Sequence, residues 1–208
     1  PIDYMGLIFY PKSSRYVDMQ HLCTGLMPDQ ADPNISEATK ADIHNGIGRV
    51  GVFVDAMAQD IITRVVAFEL DAVQLHGSET PTFIRNLRAT IVPDIRPTLK
   101  VFKAMSISSA DDFAHCAQYE GIVDMFVFDT KCTGYGGSGQ QFDWSLLDSY
   151  HGTVPFLLSG GIGPDDAERI KAFSHPLFAG VDLNSRFETE PAVKDVQLID
   201  SFIKQLRG

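Results

Sequence analysis

The stretch "FVFDTKCTGYGGSGQQFDW", residues 126–144, indicates the fold more clearly than any other part of the chain. Its apolar run ends in a single carboxylate, Asp129, and a loop with four glycines follows before an apolar and aromatic segment resumes. A continuously apolar run is typical of a strand that is buried on both faces, as in a parallel sheet. Asp129 is therefore expected at the end of a strand, where such sheets carry their functional side chains.

Six further apolar runs of the same kind lie on either side of this stretch. They are "YMGLIFY" (4–10), "RVGVFV" (49–54), "DAVQLH" (71–76), "LKVFKAM" (99–105), "PFLLSGG" (155–161) and "AGVDLN" (179–184). With the run at 125–130 they form seven β-α repeats, which leave two architectures, a doubly wound open sheet or a (β/α) barrel. Residues 11–48 interrupt the repeats and are expected to contain a mobile loop and one helix. No linker divides the chain, so the sequence predicts one domain over residues 1–208.

The segments between the runs carry helix start signals. Ser78 is the expected cap of a helix with a proline just inside it, and Ser108 or Ser109 precedes two acids that suit a helix N-terminus. Pro164 and two acids open a further helix. Residues 191–206 have the apolar spacing of a final amphipathic helix.

Composition and charge argue against several classes of partner. The chain of 208 residues has a net charge of −10, which disfavours nucleic acid and anionic membrane surfaces but not a small anionic ligand in a local pocket. Cys23, Cys116 and Cys132 are an odd number of cysteines without C-x-x-C spacing, which favours a reducing, cytoplasmic location. No run approaches the roughly 18 apolar residues of a membrane span, and the first residues do not resemble a signal peptide.

Polar residues cluster where the predicted strands end. They are Lys12, Arg15, His76, Gly77, Glu79, Asp129, Asn184, Ser185 and Arg186. In both architectures the function lies at these C-terminal strand ends. The segment "LLSGGIGPDDA" (157–167) has the order strand, glycine turn and helix N-terminus, which suits a phosphate. A second polar strand end follows soon after it, so we expect a phosphate site rather than a connection that is merely tight.

The residues alone leave the roles of several side chains open. Asp129 is either a cap of its own turn or a general acid at the mouth of an apolar site. Arg15 is either a surface charge or a planar fork for a carboxylate. His76 is more readily interpreted as a satisfied polar residue at a strand end than as a catalytic group. Cys132 lies three residues beyond Asp129, and this spacing alone does not activate a thiol.

The motifs, in their order along the chain, resemble those of the phosphoribosylanthranilate isomerases, a family of the tryptophan pathway. They are "GLIFYPKSSRYV", "RVGVFV", "VQLHGSE", "FVFDTKCTGYGGSGQQFDW", "LLSGGIGPDDA" and "GVDLNSRFE". The resemblance implies a (β/α)₈ TIM barrel and an Amadori rearrangement of N-(5'-phosphoribosyl)anthranilate. It also implies a small phosphosugar as the only partner, with neither metal nor organic cofactor, in a monomer or a homodimer.

The resemblance also implies roles for individual residues. Asp129 matches the general acid that protonates the furanose ring oxygen, and Arg15 matches the residue that faces the anthranilate carboxylate. His76 is placed with the substrate-binding residues. Glycines that would let a loop close over the substrate are Gly136, Gly137 and Gly139. The residues that match the phosphate-binding loops are Gly160, Gly161, Asn184 and Ser185.

The chain departs from the family pattern at one place. The family begins with a strand that ends in Lys-x-Cys-Gly, whose cysteine is the general base, and none of the three cysteines here matches it. The sequence starts where the family's second strand would start, so these residues are expected to be either a piece of a longer protein or a true truncation without the first βα unit. The start at Pro1, without a methionine, favours the first of these. The 208 residues are expected to bind phosphate-bearing ligands and to isomerise poorly until such a unit is appended.

Three other functions are compared with the sequence, two of them enzymatic and one non-catalytic. An aminoaldose isomerase of the histidine pathway would require paired aspartates in a two-fold repeat, which the sequence lacks. Indole-glycerol-phosphate synthase would require a lysine acid with paired glutamates at strand ends, and that pattern is also absent. The alternative from another class is a non-catalytic phosphate-binding barrel fragment, which the missing base supports.

Overall fold

The computed structural model describes residues 2–18, 46–129 and 144–208. These residues divide into two compact units, one formed by Pro1–Glu79 with Leu87–Lys100 and the other by Thr80–Asn86 with Val101–Gly208. The single domain expected from the sequence stays a prediction. Most of the expected loop and helix over residues 11–48 falls on residues 19–45, outside the described part of the chain.

The first unit is built on three parallel strands. Its elements are β1 (Tyr4–Ile8), β2 (Gly48–Phe53), α1 (Ala58–Ala67) and β3 (Ala72–Leu75). Strand β1 pairs with β2 and β2 pairs with β3, so the spatial order of the strands is their order along the chain. Helix α2 (Pro81–Ile91) has residues in both units.

The second unit is built on four parallel strands. Its elements are β4 (Lys100–Ser106), a 3₁₀ helix (Ala110–Tyr119), β5 (Met125–Asp129), a 3₁₀ helix (Trp144–Ser149), β6 (Phe156–Ser159), a 3₁₀ turn (Pro164–Asp166), α3 (Ala167–Ala172), β7 (Phe178–Val181), a 3₁₀ turn (Ser185–Phe187), β8 (Glu188–Glu190), β9 (Val193–Lys194) and α4 (Val196–Arg207). Strands β4 to β7 each pair in parallel with the next, whereas β8 and β9 form a separate antiparallel pair.

The strand order distinguishes the two architectures that the sequence left open. A doubly wound sheet reverses its strand order at a switch point, where its ligands bind. Neither unit contains such a reversal, and within each unit consecutive strands are neighbours, as they are in a (β/α) barrel. All seven predicted strands are confirmed, with ends that differ from the predicted ones by three residues or fewer.

The aromatic core of the second unit determines which way Asp129 points. Phe128 packs against Phe156 and Tyr150 with ring centroids 4.8 Å and 5.0 Å away, and against Phe113 at 5.3 Å. These rings lie on one face of the strands. Side chains alternate between the faces of a strand, so Asp129 points to the opposite face from Phe128. The apolar run of the sequence thus fixes the direction of the acid that ends it.

The helix of residues 81–91 is capped by a different residue from the one predicted. Thr80 Oγ1 accepts a hydrogen bond from the Phe83 N–H at 3.2 Å, which is the geometry of an N-cap. The Ser78 N–H is bound elsewhere, to Asp55 Oδ1 at 2.6 Å. The prediction of Ser78 as the cap is therefore wrong, because a loop–loop contact uses that residue.

The final helix is shorter than predicted. It begins at Val196, where Asp195 accepts a hydrogen bond from the Leu198 N–H at 2.9 Å. The preceding Val193, which the sequence assigned to the helix, lies in β9 and is 47% exposed. The cap at Asp195 sets the start that periodicity alone misplaced. In the described ranges, none of the helices is long and apolar enough to span a membrane.

The predicted start at Ser109 is confirmed, although the segment forms a 3₁₀ helix. Asp112 accepts hydrogen bonds from the N–H of Ser108 at 2.8 Å and of Ser109 at 2.9 Å. These bonds, with that from the Ser108 N–H the largest contribution, lower the pKa of Asp112. Asp112, one of the two acids that follow Ser109 in the sequence, therefore stabilises the start of this helix.

Candidate active site

Three polar side chains lie side by side at the C-terminal ends of β4, β5 and β6. Asp129 is in register with Ser106 on one side and with Ser159 on the other. Asp129 is 7% exposed, and its carbonyl accepts a hydrogen bond from the Ile107 N–H at 3.2 Å. Residues in register on parallel strands point to the same face, so the carboxyl lies between two serines on the face opposite the aromatic core.

Ser159 extends this polar row to the end of β7. Its hydroxyl donates a hydrogen bond to Asp182 Oδ2 at 2.9 Å, and the Asp182 N–H donates to the Leu158 carbonyl at 2.9 Å. Ser159 and Asp182 are not among the site residues predicted from the sequence. The pattern that could have indicated them is their position near the ends of the apolar runs "PFLLSGG" and "AGVDLN".

The turn after β6 requires glycine for its backbone. Gly160 and Gly161 have φ angles of 90° and 71°, in the left-handed region that other residues rarely adopt. A Cβ placed on Gly161 would meet no atom of the described residues within 4 Å. In the described part of the chain, the N–H groups of Gly161 and Asn184 donate to no protein acceptor. The turn thus has, at an exposed residue, a backbone donor that no described protein group uses, as an anion site needs.

The loop after β6 is held by hydrogen bonds and an ion pair of charged side chains. Asp166 accepts a hydrogen bond from the Gly163 N–H at 2.7 Å and is 5% exposed. The Arg169 guanidinium lies 4.0 Å from the Asp166 carboxylate and stacks 3.8 Å above the Trp144 ring. Trp144 directly follows residues 130–143, which lie outside the described part of the chain. The packing therefore connects Trp144 with the loop after β6.

The loop after β7 is held by Lys194. The Lys194 ammonium donates to Asn184 Oδ1 and to Glu188 Oε1, both at 2.9 Å, and to the Leu183 carbonyl at 3.4 Å. The side-chain oxygen of Asn184 is thereby used within the protein. What this loop offers to a ligand is its backbone N–H groups and Ser185.

Arg15 and His76 belong to the first unit. Arg15 follows β1, is half-buried, and its N–H donates to Ser13 Oγ at 3.1 Å. His76 follows β3, and its Nδ1 lies 3.3 Å from Gln74 Nε2. Both residues lie after the C-terminal ends of strands of the same parallel sheet, where the sequence placed them.

Glu79 has a structural role. Its carboxylate accepts hydrogen bonds from the Asp55 N–H at 3.0 Å and from the Gly77 N–H at 3.0 Å and 3.2 Å. Glu79 is 5% exposed, and a Cβ on Gly77 would collide with Asp55. The carboxylate thus joins the loop after β2 to the loop after β3, the loop that follows His76.

Replacing Glu79 by alanine is expected to lower the free energy of unfolding by about 2 kcal/mol, because two backbone N–H groups lose a buried acceptor. Urea unfolding followed by circular dichroism measures the change. Asp94→Ala is the matched control, since Asp94 is an exposed carboxylate of the same unit. Equal losses in the two variants would show that the Glu79 bonds do not hold the loops.

The cysteines do not supply an obvious base in the described part of the chain. Cys116 is buried, and burial, followed by the charges of Glu120 and Asp112, raises its pKa to about 12. Its thiol therefore stays protonated near neutral pH. Several residues singled out from the sequence lie outside the described part, namely Cys23, Cys132, Gly136, Gly137 and Gly139.

Comparisons with known proteins agree in both sequence and fold. Residues 3–205 match the family described as N-(5'-phosphoribosyl)anthranilate (PRA) isomerase. The chain is 42% identical over 205 residues to N-(5'-phosphoribosyl)anthranilate isomerase of Parabacteroides distasonis, a match that covers 99% of this chain and 84% of the relative.

Solved structures with a similar fold include members of the same family. The crystal structure of phosphoribosyl anthranilate isomerase from Thermotoga maritima has a TM-score of 0.73 at 30% identity, covering 99% of this chain and 88% of that one. Another is a phosphoribosyl anthranilate isomerase in complex with reduced 1-(o-carboxyphenylamino)-1-deoxyribulose 5-phosphate, with a TM-score of 0.71, 27% identity and the same two coverages. These likenesses confirm the predicted α/β barrel class.

Proposed function

The chain belongs to the N-(5'-phosphoribosyl)anthranilate isomerase family, and we propose on this premise that Asp129 is the general acid of its reaction and that the loops after β6 and β7 hold the substrate's phosphate. The reaction is the Amadori rearrangement of N-(5'-phosphoribosyl)anthranilate to 1-(2-carboxyphenylamino)-1-deoxyribulose 5-phosphate, in tryptophan biosynthesis. The observation that carries the site assignment is the pairing of Asp129 with Ser159, the residue that leads into the glycine turn.

Asp129 would supply the proton that opens the sugar ring. The furanose oxygen must gain a proton as its bond to C1' breaks, and a positioned carboxylic acid can donate it. Asp129 ends a strand whose other face is fixed by packed aromatic rings, so its position is set by rigid structure and not by a loop. Its low exposure keeps most bulk water away from the carboxyl.

The phosphate would be held by backbone donors on two adjacent loops. Gly161 after β6 and Asn184 after β7 are exposed, and among the described residues their N–H groups have no protein acceptor. Gly160 shapes the first of these turns and Ser185 adds a hydroxyl on the second. Strands β6 and β7 are paired neighbours, which supports a single phosphate reaching both loops.

The remaining roles rest on the family match. We assign Arg15 to the anthranilate carboxylate, because a guanidinium binds a carboxylate through two parallel hydrogen bonds. We assign His76 to substrate binding at the end of β3. The glycines at 136, 137 and 139 keep their predicted role in closing a loop over the substrate. The general base is not assigned to Cys116, whose buried thiol is protonated near neutral pH.

Gly161→Ala tests the phosphate assignment. Alanine at a φ of 71° is strained by about 1–2 kcal/mol, and relief of that strain would turn the N–H away from its position in the glycine turn. We expect KM for N-(5'-phosphoribosyl)anthranilate to rise about tenfold or more, because a charge-assisted hydrogen bond to the phosphate is misaligned. Conversion is followed in the chain to which an N-terminal βα unit ending in Lys-x-Cys-Gly has been appended.

Gly121→Ala is the matched control for this experiment. Gly121 has a φ of 73°, and a methyl group added there would also meet no atom of the described residues within 4 Å, so the backbone strain is the same. Gly121 precedes β5, at the opposite end of that strand from Asp129. Equal effects on KM would refute the phosphate position, and a wild-type protein without conversion would refute the proposed reaction.

A further inference from the structure

Arg186 crosses from the loop after β7 to the loop after β6. Its Nη1 donates a hydrogen bond to the Gly161 carbonyl at 3.3 Å, and the side chain is exposed. This bond places a cation on the same residue whose N–H has no acceptor among the described residues. The family match assigns no role to this side chain.

Gly163 provides the room in which Arg186 lies. A Cβ at Gly163 would be 2.6 Å from both Cζ and Nε of Arg186 and 3.0 Å from Nη2. The φ angle of Gly163 is −130°, which any residue adopts, so its backbone does not require glycine. What the missing side chain supplies is a flat surface for the guanidinium.

The charge of Arg186 is not neutralised by a neighbouring carboxylate. Among the residues that the structure describes, it forms no ion pair, and its bond to Gly161 uses one of the five N–H donors of a guanidinium. Two cations near these loops are matched, Lys194 on β9 by Glu188 at 2.9 Å and Arg169 on α3 by Asp166 at 4.0 Å. In a chain of net charge −10, a local cation favours the binding of a dianion at this place.

The distances allow Arg186 and the backbone donor to bind one group. The N and O atoms of one residue are at most about 4 Å apart, so the Gly161 nitrogen lies within about 7 Å of Arg186 Nη1. A phosphate whose oxygens each accept a bond of about 2.8 Å spans such a gap. We infer that Arg186 is a further phosphate-binding residue, which favours a doubly charged phosphomonoester over the same ligand without its phosphate. This inference rests on the proposed function.

The test compares two ligands by calorimetry. They are the reduced product 1-(o-carboxyphenylamino)-1-deoxyribulose 5-phosphate and its dephosphorylated form, and inorganic phosphate serves as a third probe. We expect Arg186→Ala to raise the dissociation constants of the phosphorylated ligand and of inorganic phosphate about tenfold. The dissociation constant of the dephosphorylated ligand should not change. Arg186→Lys should lose less affinity for these two ligands that carry phosphate, because lysine keeps the positive charge but not the planar pair of N–H donors. Lys204→Ala, which removes an exposed charge on α4, is the control.

A second variant tests the geometry without removing the charge. Gly163→Ala is expected to displace the Arg186 guanidinium and to weaken the binding of the phosphorylated ligand severalfold. In the Arg186→Ala background the same change should have no further effect, since contacting residues are the ones that couple. Thermal unfolding of each variant verifies that the protein is folded.

The outcomes separate this inference from the proposed function. If the wild type binds the phosphorylated ligand and Arg186→Ala binds it equally well, the inference is wrong and the proposed function stands. If the wild type binds inorganic phosphate through Arg186 but not the reduced product, Arg186 binds phosphate as inferred, whereas the proposed function and the phosphomonoester ligand that follows from it fail. Equal weakening of both ligand forms would assign Arg186 to holding the loops together and would overturn the inference.

Discussion

Asp129→Asn is expected to lower kcat by about 10²–10⁴-fold, the range that a general acid contributes. The amide has the shape of the carboxyl and can keep its place between Ser106 and Ser159, but it has no acidic proton to donate to the ring oxygen. Binding of the reduced product should therefore change by less than about threefold, because only the transition state uses the proton. Steady-state kinetics and calorimetry measure the two quantities in the chain to which an N-terminal βα unit ending in Lys-x-Cys-Gly has been appended.

Asp148→Asn is the control for this substitution. Asp148 is an exposed carboxylate of the same unit, on the 3₁₀ helix that follows the segment 130–143. It should retain the wild-type kcat. A loss of binding in Asp129→Asn as large as its loss of kcat would mean that Asp129 positions the substrate and does not protonate it. An unchanged kcat would remove Asp129 from the chemistry.

The strands could be predicted because burial on both faces leaves a simple signal. Every apolar run that we selected became a parallel strand, since continuous apolar sequence has few other stable arrangements. Helix starts were less predictable, because several polar residues near each start can serve as the cap. Thr80 capped its helix in place of Ser78, whose N–H is used by Asp55, and only the contact between two loops decides this.

The site could be predicted only to the level of strand ends. The sequence shows that Asp129 ends a strand and that the glycine turn follows another, and neighbouring parallel strands then bring them to one edge. It does not show which polar residues serve structure instead. Glu79 and Asp166 both bind backbone N–H groups, and nothing in their sequence context distinguishes them from ligand-binding acids. Such pairings depend on loop conformations that local sequence does not determine.

Phe128→Ala is expected to lower the free energy of unfolding by about 3–5 kcal/mol, the range for removing a fully buried aromatic ring. Phe128 is 0% exposed and contacts Phe113, Tyr150 and Phe156, so the cavity would open among rigid rings that cannot easily collapse into it. Urea unfolding followed by circular dichroism gives the value. Phe128→Leu keeps most of the volume and should cost less.

Val196→Ala is the matched control, because Val196 is 73% exposed and its substitution should change the free energy of unfolding by less than about 0.5 kcal/mol. If Phe128→Ala lowers the free energy of unfolding no more than this control does, the aromatic face does not anchor β5.

The packing of Phe128 has a second consequence. Side chains alternate between the two faces of β5, so Asp129 is held in place by the packing of Phe128 on the other face. In a folded Phe128→Leu variant, kcat should therefore fall with little change in the binding of inorganic phosphate, since the glycine turn lies on another strand.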